Sequence, residues 1–242
     1  MTDLHLYTAS TMNGWKPLIL LEELGVAYAL THIRFDQNEQ KQDWYLKLNP
    51  NGRIPTLVDH SNDGFVVFES AAILWYLAEK FDRFLPTQAN HRSEAMQWLF
   101  FQMSGIGPMM GQAMYFQRIA APQGITADFA TQRYVAESRR LLEVLNRRLT
   151  GRTWVVGEQY SIVDMAMYPY VRAYPWAKVS VTGLSHLNSW LERMEERPAV
   201  TKALTLPEPF PAFFSEQEDA DAVIQNASRF TLPTTPNTTV RS

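Results

Sequence analysis

Two short stretches carry the residue types that can do chemistry. The first is Thr11-Met12-Asn13-Gly14, which closes a loop and opens an apolar-periodic run. A helix start with two small polar side chains favours negative charge through its free N–H groups and its dipole. A thiol placed there is stabilised as thiolate. The second stretch runs from Asn49 to Ser70. Ile54 precedes Pro55, so its backbone is extended, and Pro55 cannot donate to a ladder. The peptide groups of Ile54 are therefore offered to something else, and a cis bond there helps expose them. Glu69-Ser70 precedes the run Ala71 to Leu77, which puts Ser70 at a helix N-terminus suited to a carboxylate. A strand start offering peptide hydrogen bonds beside a helix start offering an anion site binds a small charged peptide. Arg53 and Lys16 lie near these motifs, where a positive charge attracts a carboxylate.

The chain has no cysteine. That excludes disulfides, Cys-x-x-Cys redox pairs, thiolate metal sites and a cysteine nucleophile together. If thiol chemistry is done, the sulfur arrives with a ligand. A free thiol with pKa about 8.5 is only a few per cent ionised at neutral pH. Lowering it by ~2 units needs about 3 kcal/mol of preferential thiolate stabilisation. One charge-assisted hydrogen bond supplies about 1.5–3 kcal/mol, so one or two donors plus the helix dipole suffice. The donors indicated are Thr11 and Asn13; the alternative for both is helix capping alone. Tyr7 is a further candidate donor, but it falls in a strand and reads as a core or wall residue.

Other chemistries find no support. Gly105-Ile106-Gly107 has no strand before it and no phosphate-loop pattern. The five histidines are scattered, without metal-ligand spacing. No Gly-x-Ser-x-Gly elbow is present. The net charge of −3, with no basic block, argues against nucleic acid. No apolar run approaches the ~20 residues of a membrane span. The N-terminal residues lack a positive segment followed by an apolar one, so secretion is not expected. Met109, Met110 and Met114 read either as helix core or as the lining of an apolar pocket.

The 242 residues, 46% of them apolar and 19% charged, suit one large or two modest globular domains. Leu4 to Tyr7 reads as a strand, and a helix follows from near Asn13, an acceptable N-cap, to Gly25. Tyr28 to Phe35 reads as a second strand. A polar loop spans Asp36 to Gln42, and Trp44 to Leu48 makes one or two helical turns. Leu57-Val58 and Val66 to Phe68 form a hairpin about a turn at His60 to Gly64. A helix follows from Ser70 to Phe81. This βαβαββα order is that of an α/β thioredoxin-like domain, assigned to residues 1–81. A linker is placed at 82–89 and an all-α C-terminal domain at 90–206. In the latter, Ala95 to Met110 should be kinked or interrupted at Gly105, Gly107, Pro108 and Gly111. Asp128 to Leu149, Ser161 to Val171 and Leu184 to Arg197 supply further helices. Ser161 and Asp164 form a capping box assigned to stability. Residues 207–242 read as an extended, partly disordered tail, which Phe210, Phe213 and Phe214 pin to the body.

The run 49–59 followed by Phe68-Glu69-Ser70-Ala71-Ala72-Ile73-Leu74 resembles the glutathione-binding half of soluble glutathione transferases. The resemblance implies a cis Ile54–Pro55 bond, pairing of Ile54 with the cysteinyl backbone of glutathione, and a γ-glutamyl end held by Glu69 and Ser70. Thr-Met-Asn-Gly-Trp-Lys, residues 11–16, is similar to the Thr-Pro-Asn-Gly-x-Lys run of the nu class of bacterial disulfide-bond reductases. The similarity spans roughly residues 3–205. Gln40 matches a glutathione contact, residues 97–112 match that class's first long helix of the second domain, and Arg133 matches an arginine that reaches the glutathione site. Met12 replaces the class's proline, and the long tail is a departure.

What the resemblance implies is a cytoplasmic homodimer, active in detoxification, that uses glutathione as co-substrate, one or two per site, with no metal. Its partners would be disulfides or electrophilic small molecules, with no nucleic acid and no membrane. The expected reaction is thiol–disulfide exchange, with Thr11 and Asn13 activating the glutathione sulfur, and Asn13, Gln40, Arg53, Ile54, Pro55, Glu69, Ser70 and Arg133 binding the tripeptide. Conjugation to electrophiles is the second enzymatic reading. The yeast nitrogen regulator shares much of the pattern, so a non-catalytic regulator or ligand carrier on the same fold is the alternative.

Overall fold

The computed structural model describes residues 2–209. Strand β1 (Leu4–Thr8) runs parallel to β2 (Tyr28–His32) and antiparallel to β3 (Thr56–Asp59), which pairs antiparallel with β4 (Phe65–Phe68). The sheet order is β2-β1-β3-β4. Alternation along β1 sets its two faces: Leu4 and Leu6 are buried, while His5 and Tyr7 are half-buried. Helices α1 (Met12–Leu24) and α3 (Ser70–Phe81) pack against each other, and Trp15, Leu18, Ile73 and Leu77 share one core with Leu4, Leu6 and Leu57. The short helix α2 (Asp43–Leu46) brings Trp44 and Tyr45 to ring distances of 6.0 and 6.4 Å from Tyr7. This is the expected thioredoxin-like domain.

Several element ends differ from the sequence expectation. Helix α1 is capped by Thr11, not Asn13: Thr11 is extended (φ −144, ψ 164) and its side chain accepts from the Gly14 amide at 3.0 Å. Asn13 is the second helical residue, and its side-chain oxygen is taken by Lys16. Gly25 ends the helix in the left-handed region, φ 68, as expected. β2 stops at His32, because Phe35 begins a tight 3₁₀ turn. The hairpin is as expected, one residue longer at the edges, with a 3₁₀ turn at His60–Asn62.

The hairpin is tied to α3 through Asp59, whose side chain is fully buried. One carboxylate oxygen accepts from the amide and hydroxyl of Ser61, the other from Tyr76 and Lys80, each at 2.7 Å. Desolvation pushes this carboxyl upward, but the bonds from Lys80, Tyr76 and Ser61 outweigh it and hold its pKa at about 2, from 3.8. A depressed carboxylate pKa stabilises the fold above the unfolded value and loses that contribution as pH falls through the folded value. Urea unfolding of wild type and Asp59→Asn should therefore differ by about 2 kcal/mol near neutral pH. The gap should close as pH falls from about 4 to about 2. A gap that stays constant over that range contradicts the assignment.

From α4 (Ala89–Phe101) onward the described chain is helical: α5 (Gly107–Tyr115), α6 (Asp128–Arg148), α7 (Ile162–Val171), α8 (Ser185–Glu195) and α9 (Pro198–Ala203). α9 escaped the sequence reading; Pro198 at its first position was its signal. The glycine-rich stretch does not break the helix. A π-turn at Gln102–Ile106 joins α4 to α5, and a second follows at Phe116–Ala120. A Cβ on Gly107 would lie 3.2 Å from the Gln102 side chain and backbone, so the glycine lets the wide turn close on itself. Met110 and Met114 are buried in the core, which favours packing over pocket lining. Ser161 and Asp164 form the expected capping box at the start of α7.

The link between sheet and helices is pinned. The Arg83 guanidinium donates to the carbonyls of Leu24 and Glu23, and Ile162 donates to the carbonyl of Phe84. Beyond α9, the Ser10 hydroxyl donates to the Glu208 carbonyl at 2.6 Å. The expectations for Phe210, Phe213, Phe214 and the end of the tail lie outside the described residues. Among the described residues no helix is long and apolar enough to cross a membrane.

Candidate active site

The loop between β1 and α1 turns sharply because Gly14 permits it. A Cβ there would meet the Ala9 carbonyl at 2.0 Å and Thr8 Oγ1 at 2.5 Å, so no side chain fits at position 14. This close approach sets Thr11 and Asn13 at the head of α1. The Thr11 oxygen accepts from Gly14, which leaves its hydroxyl proton as a donor. Asn13 is half-buried. Its Oδ1 accepts from Lys16 Nζ at 3.0 Å, and since an ammonium only donates, the atom facing Lys16 is the oxygen. The two hydrogens on Asn13 Nδ2 remain for other acceptors, and the Asn13 side chain acts on the phenol of Tyr170 in α7. Burial pushes the Tyr170 phenol up to about 12, with the Asn13 bond opposing.

Lys16 is fully buried. Its ammonium donates to Asn13, to Ser70 Oγ at 3.3 Å and to Gln102 Oε1 at 2.9 Å, and lies 5.2 Å from the Tyr170 ring centroid. Desolvation lowers its pKa from 10.5 to about 7, with the charge of Glu69 opposing. Lys16 thus joins the head of α1, the head of α3 and the π-turn after α4. Its role was missed in the sequence, although the i,i+3 spacing of Asn13 and Lys16 was visible. Gln102 and Tyr170 carried no local signal.

Ser70 is buried at the first position of α3. Glu69 gives this helix no side-chain cap, which leaves its leading N–H groups to other acceptors. Glu69 also holds φ 72, a conformation that costs a non-glycine residue on the order of 1–3 kcal/mol. Such strain is concentrated at binding sites. The Ile54–Pro55 bond is cis. The preceding carbonyl, of Arg53, is fixed by Tyr45 and Asn49, each at 2.7 Å, while Ile54 lies just before the β3 ladder.

Gln40 sits on a short turn beside this segment. A Cβ on Gly52, which adopts φ 60, would lie 2.8 Å from the Gln40 carbonyl. Gln40 Oε1 is buried and has no hydrogen-bond partner among the described residues. Arg53 and Glu69 are exposed. Arg133 is exposed on α6, where its charge acts on Glu137 of the same helix. The structure therefore gathers Thr11, Asn13, Lys16 and Ser70 directly, and Gln40 with Arg53 and Ile54 around Gly52. It shows no contact of Arg133 with either group among the described residues. Tyr7 stacks on His5 at 4.1 Å, and burial raises its phenol, which leaves it a wall residue.

The arrangement fits a small peptide thiol. An uncapped helix start suits a carboxylate, a strand start suits peptide groups, and donors at the head of α1 suit a thiolate. Among the described residues no cluster of three metal-ligating side chains occurs.

Residues 2–79 match the glutathione S-transferase N-terminal domain, and residues 127–198 match the glutathione S-transferase C-terminal domain. The disulfide-bond oxidoreductase YfcG of Escherichia coli is 41% identical over 203 residues, covering 82% of this chain and 93% of that protein. A glutathione transferase from Burkholderia graminis, solved with two glutathione molecules per subunit, superimposes with a TM-score of 0.80 at 41% identity, over 86% of this chain and 90% of that one. One from Pseudomonas putida, solved with one glutathione disulfide per subunit, gives 0.81 at 40% identity, over 85% and 92%. With sheet, helices and cis Ile54–Pro55 in place, and relatives of this similarity along most of its length, the chain belongs to the glutathione S-transferase family.

Proposed function

We propose that this chain is a glutathione-dependent disulfide-bond oxidoreductase of the nu type. The observation that carries the reading is the meeting of the α1 and α3 heads on one buried ammonium, in a chain that has no cysteine of its own. Asn13 and Ser70 each lie within 3.3 Å of Lys16 Nζ, so a sulfur at one and a carboxylate at the other belong to one short molecule. Relatives bound to glutathione or glutathione disulfide support the same ligand.

Ser70 and the α3 amides, with Glu69, bind the γ-glutamyl end. Ile54, held before Pro55, pairs with the cysteinyl backbone. Gln40 and Arg53 flank the tripeptide, and Arg133 lies farther out. Thr11 and Asn13 donate to the sulfur and hold it as thiolate. The thiolate attacks one sulfur of a substrate disulfide; the other sulfur leaves as thiolate and takes a proton from solvent. A second glutathione thiolate then attacks the glutathionyl sulfur of the mixed disulfide. It forms glutathione disulfide and frees the second substrate thiol.

Residues 1–81, 82–89, 90–206 and 207–242 form the binding domain, linker, helical domain and tail of this proposal. Steady-state turnover of hydroxyethyl disulfide with glutathione tests it. Saturable glutathione-dependent reduction is expected. Turnover of aryl halides alone makes the protein a conjugating transferase, and binding with no turnover makes it a carrier.

The same reading makes the protein a cytoplasmic homodimer. Phe65 and Phe68 on the edge strand β4 and Phe100 on α4 are 52%, 39% and 64% exposed, large apolar side chains of the kind a second copy would cover. Sedimentation velocity at micromolar concentration should report twice the monomer mass for wild type and the monomer for Phe100→Glu. A monomeric wild type contradicts it.

A further inference from the structure

The mechanism above uses Asn13 as a donor, and an amide is a donor only in one of its two orientations. Rotating it by half a turn would present Oδ1 to the sulfur subsite and repel a thiolate. Something must select the orientation, and the structure offers one group able to do so. Lys16 Nζ lies 3.0 Å from Asn13 Oδ1, and as an ammonium it has no lone pair to accept from Nδ2. Gln102 Oε1 at 2.9 Å and Ser70 Oγ at 3.3 Å hold the ammonium in place, and the Tyr170 ring covers it at 5.2 Å.

We propose that Lys16 is a positioning residue for the reaction: by donating to Asn13 Oδ1, while anchored by Gln102 and Ser70, it fixes the Asn13 amide with Nδ2–H toward the sulfur. The inference rests on the assignment of Asn13 to the glutathione sulfur. Its chemical logic is that of an outer residue orienting an inner one. Glu69 is the acidic group whose charge acts on Lys16, and Tyr170 the phenol beside it. A fully buried lysine whose pKa falls to about 7 is a poor choice for stability alone, because an apolar chain of similar size avoids the desolvation cost. Its presence at this spot matches a functional demand. The anchor Gln102 lies in the π-turn, a feature frequent at functional sites.

The test is a double-mutant cycle read by the ultraviolet absorbance of bound glutathione thiolate against pH. Wild type, Lys16→Met, Asn13→Ala and the double variant are titrated at saturating glutathione, with circular dichroism melts on each. Lys16→Met leaves Asn13 Oδ1, Ser70 Oγ and Gln102 Oε1 without their donor, so it should melt below wild type, and its titration and rates are read well below that melt. It should raise the bound thiol pKa by ~1 unit and lower turnover at neutral pH about tenfold. In the Asn13→Ala background the same change should add almost nothing, since the residue through which Lys16 acts is gone. Lys16→Gln, which can still donate to Oδ1, should recover part of the loss. A wild-type thiol pKa in folded Lys16→Met, or an equal shift with and without Asn13, overturns the proposal. So does a loss in both Lys16 variants that tracks only the unfolded fraction. If wild type itself fails to bind glutathione or to lower its thiol pKa, the functional reading fails instead, so the two failures are separable.

Discussion

Asn13→Ala should lower kcat/KM for glutathione-dependent disulfide reduction about 10- to 100-fold at neutral pH, and should also cost about 1–3 kcal/mol of stability, because the buried Lys16 ammonium loses an acceptor. The side chain is half-buried, and its loss removes one hydrogen bond to a charged sulfur, worth about 1.5–3 kcal/mol. The loss should shrink at high pH, because a thiol with a raised pKa ionises there without help. The rising limb of the pH–rate profile therefore moves to higher pH by ~1–2 units. Thr11→Ala should give a mixed result. It removes the second donor and also the α1 cap, which costs about 1 kcal/mol of stability. Thr11→Ser keeps both the cap and the hydroxyl and should retain most of the activity. Stopped-flow and steady-state rates with hydroxyethyl disulfide check this. An Asn13→Ala enzyme with the wild-type profile contradicts the assignment of Asn13 to the sulfur.

The largest stability effect is expected at Asp164, near the start of α7. Its carboxylate is fully buried and accepts four hydrogen bonds: from the Val155 amide, the Trp190 indole, and the Ser161 amide and hydroxyl. Desolvation still lifts its pKa from 3.8 to about 6, against those donors. Asp164→Ala leaves four buried donors without an acceptor, which should cost about 3–5 kcal/mol, the scale of a broken buried charge network. For a chain of this size that is a fall in melting temperature of roughly 6–20 °C. Ser161→Ala should cost only about 1 kcal/mol. The pH dependence has the opposite sign to that of Asp59. Between about 3.8 and 6 the folded state binds more protons at Asp164 than the unfolded chain, so its contribution falls as pH rises through that window. Calorimetry on both variants checks the order; an Asp164→Ala loss no larger than that of Ser161→Ala contradicts it.

The sequence made some of this legible because the signals were local. The hairpin, the proline before β3 and the Ser70 helix start follow from residues within a few positions of one another. The capping box was half legible: Ser161 and Asp164 are three residues apart, whereas Trp190, which shares the carboxylate, lies on α8. Lys16 shows the limit. Its partners Ser70 and Gln102 are 54 and 86 residues away, and only the packing of α1 against α3 and the helical domain turns a surface-type residue into a buried bridge. Thr11 and Asn13 were recognised as a pair, but which of them caps α1 depended on Gly14 pressing the loop against Thr8 and Ala9. The glycines at 105 and 107 suggested interruption; the helix absorbed them as a π-turn and used it to aim Gln102 at Lys16.

The bound thiol's own titration bears most directly on the central claim, that this protein ionises a sulfur it does not own. Glutathione should bind saturably, and its thiolate absorbance in the complex should rise with a midpoint of ~6.5, about 2 units below the ordinary thiol value. A midpoint at that ordinary value, or no saturable binding at millimolar glutathione, would contradict the account.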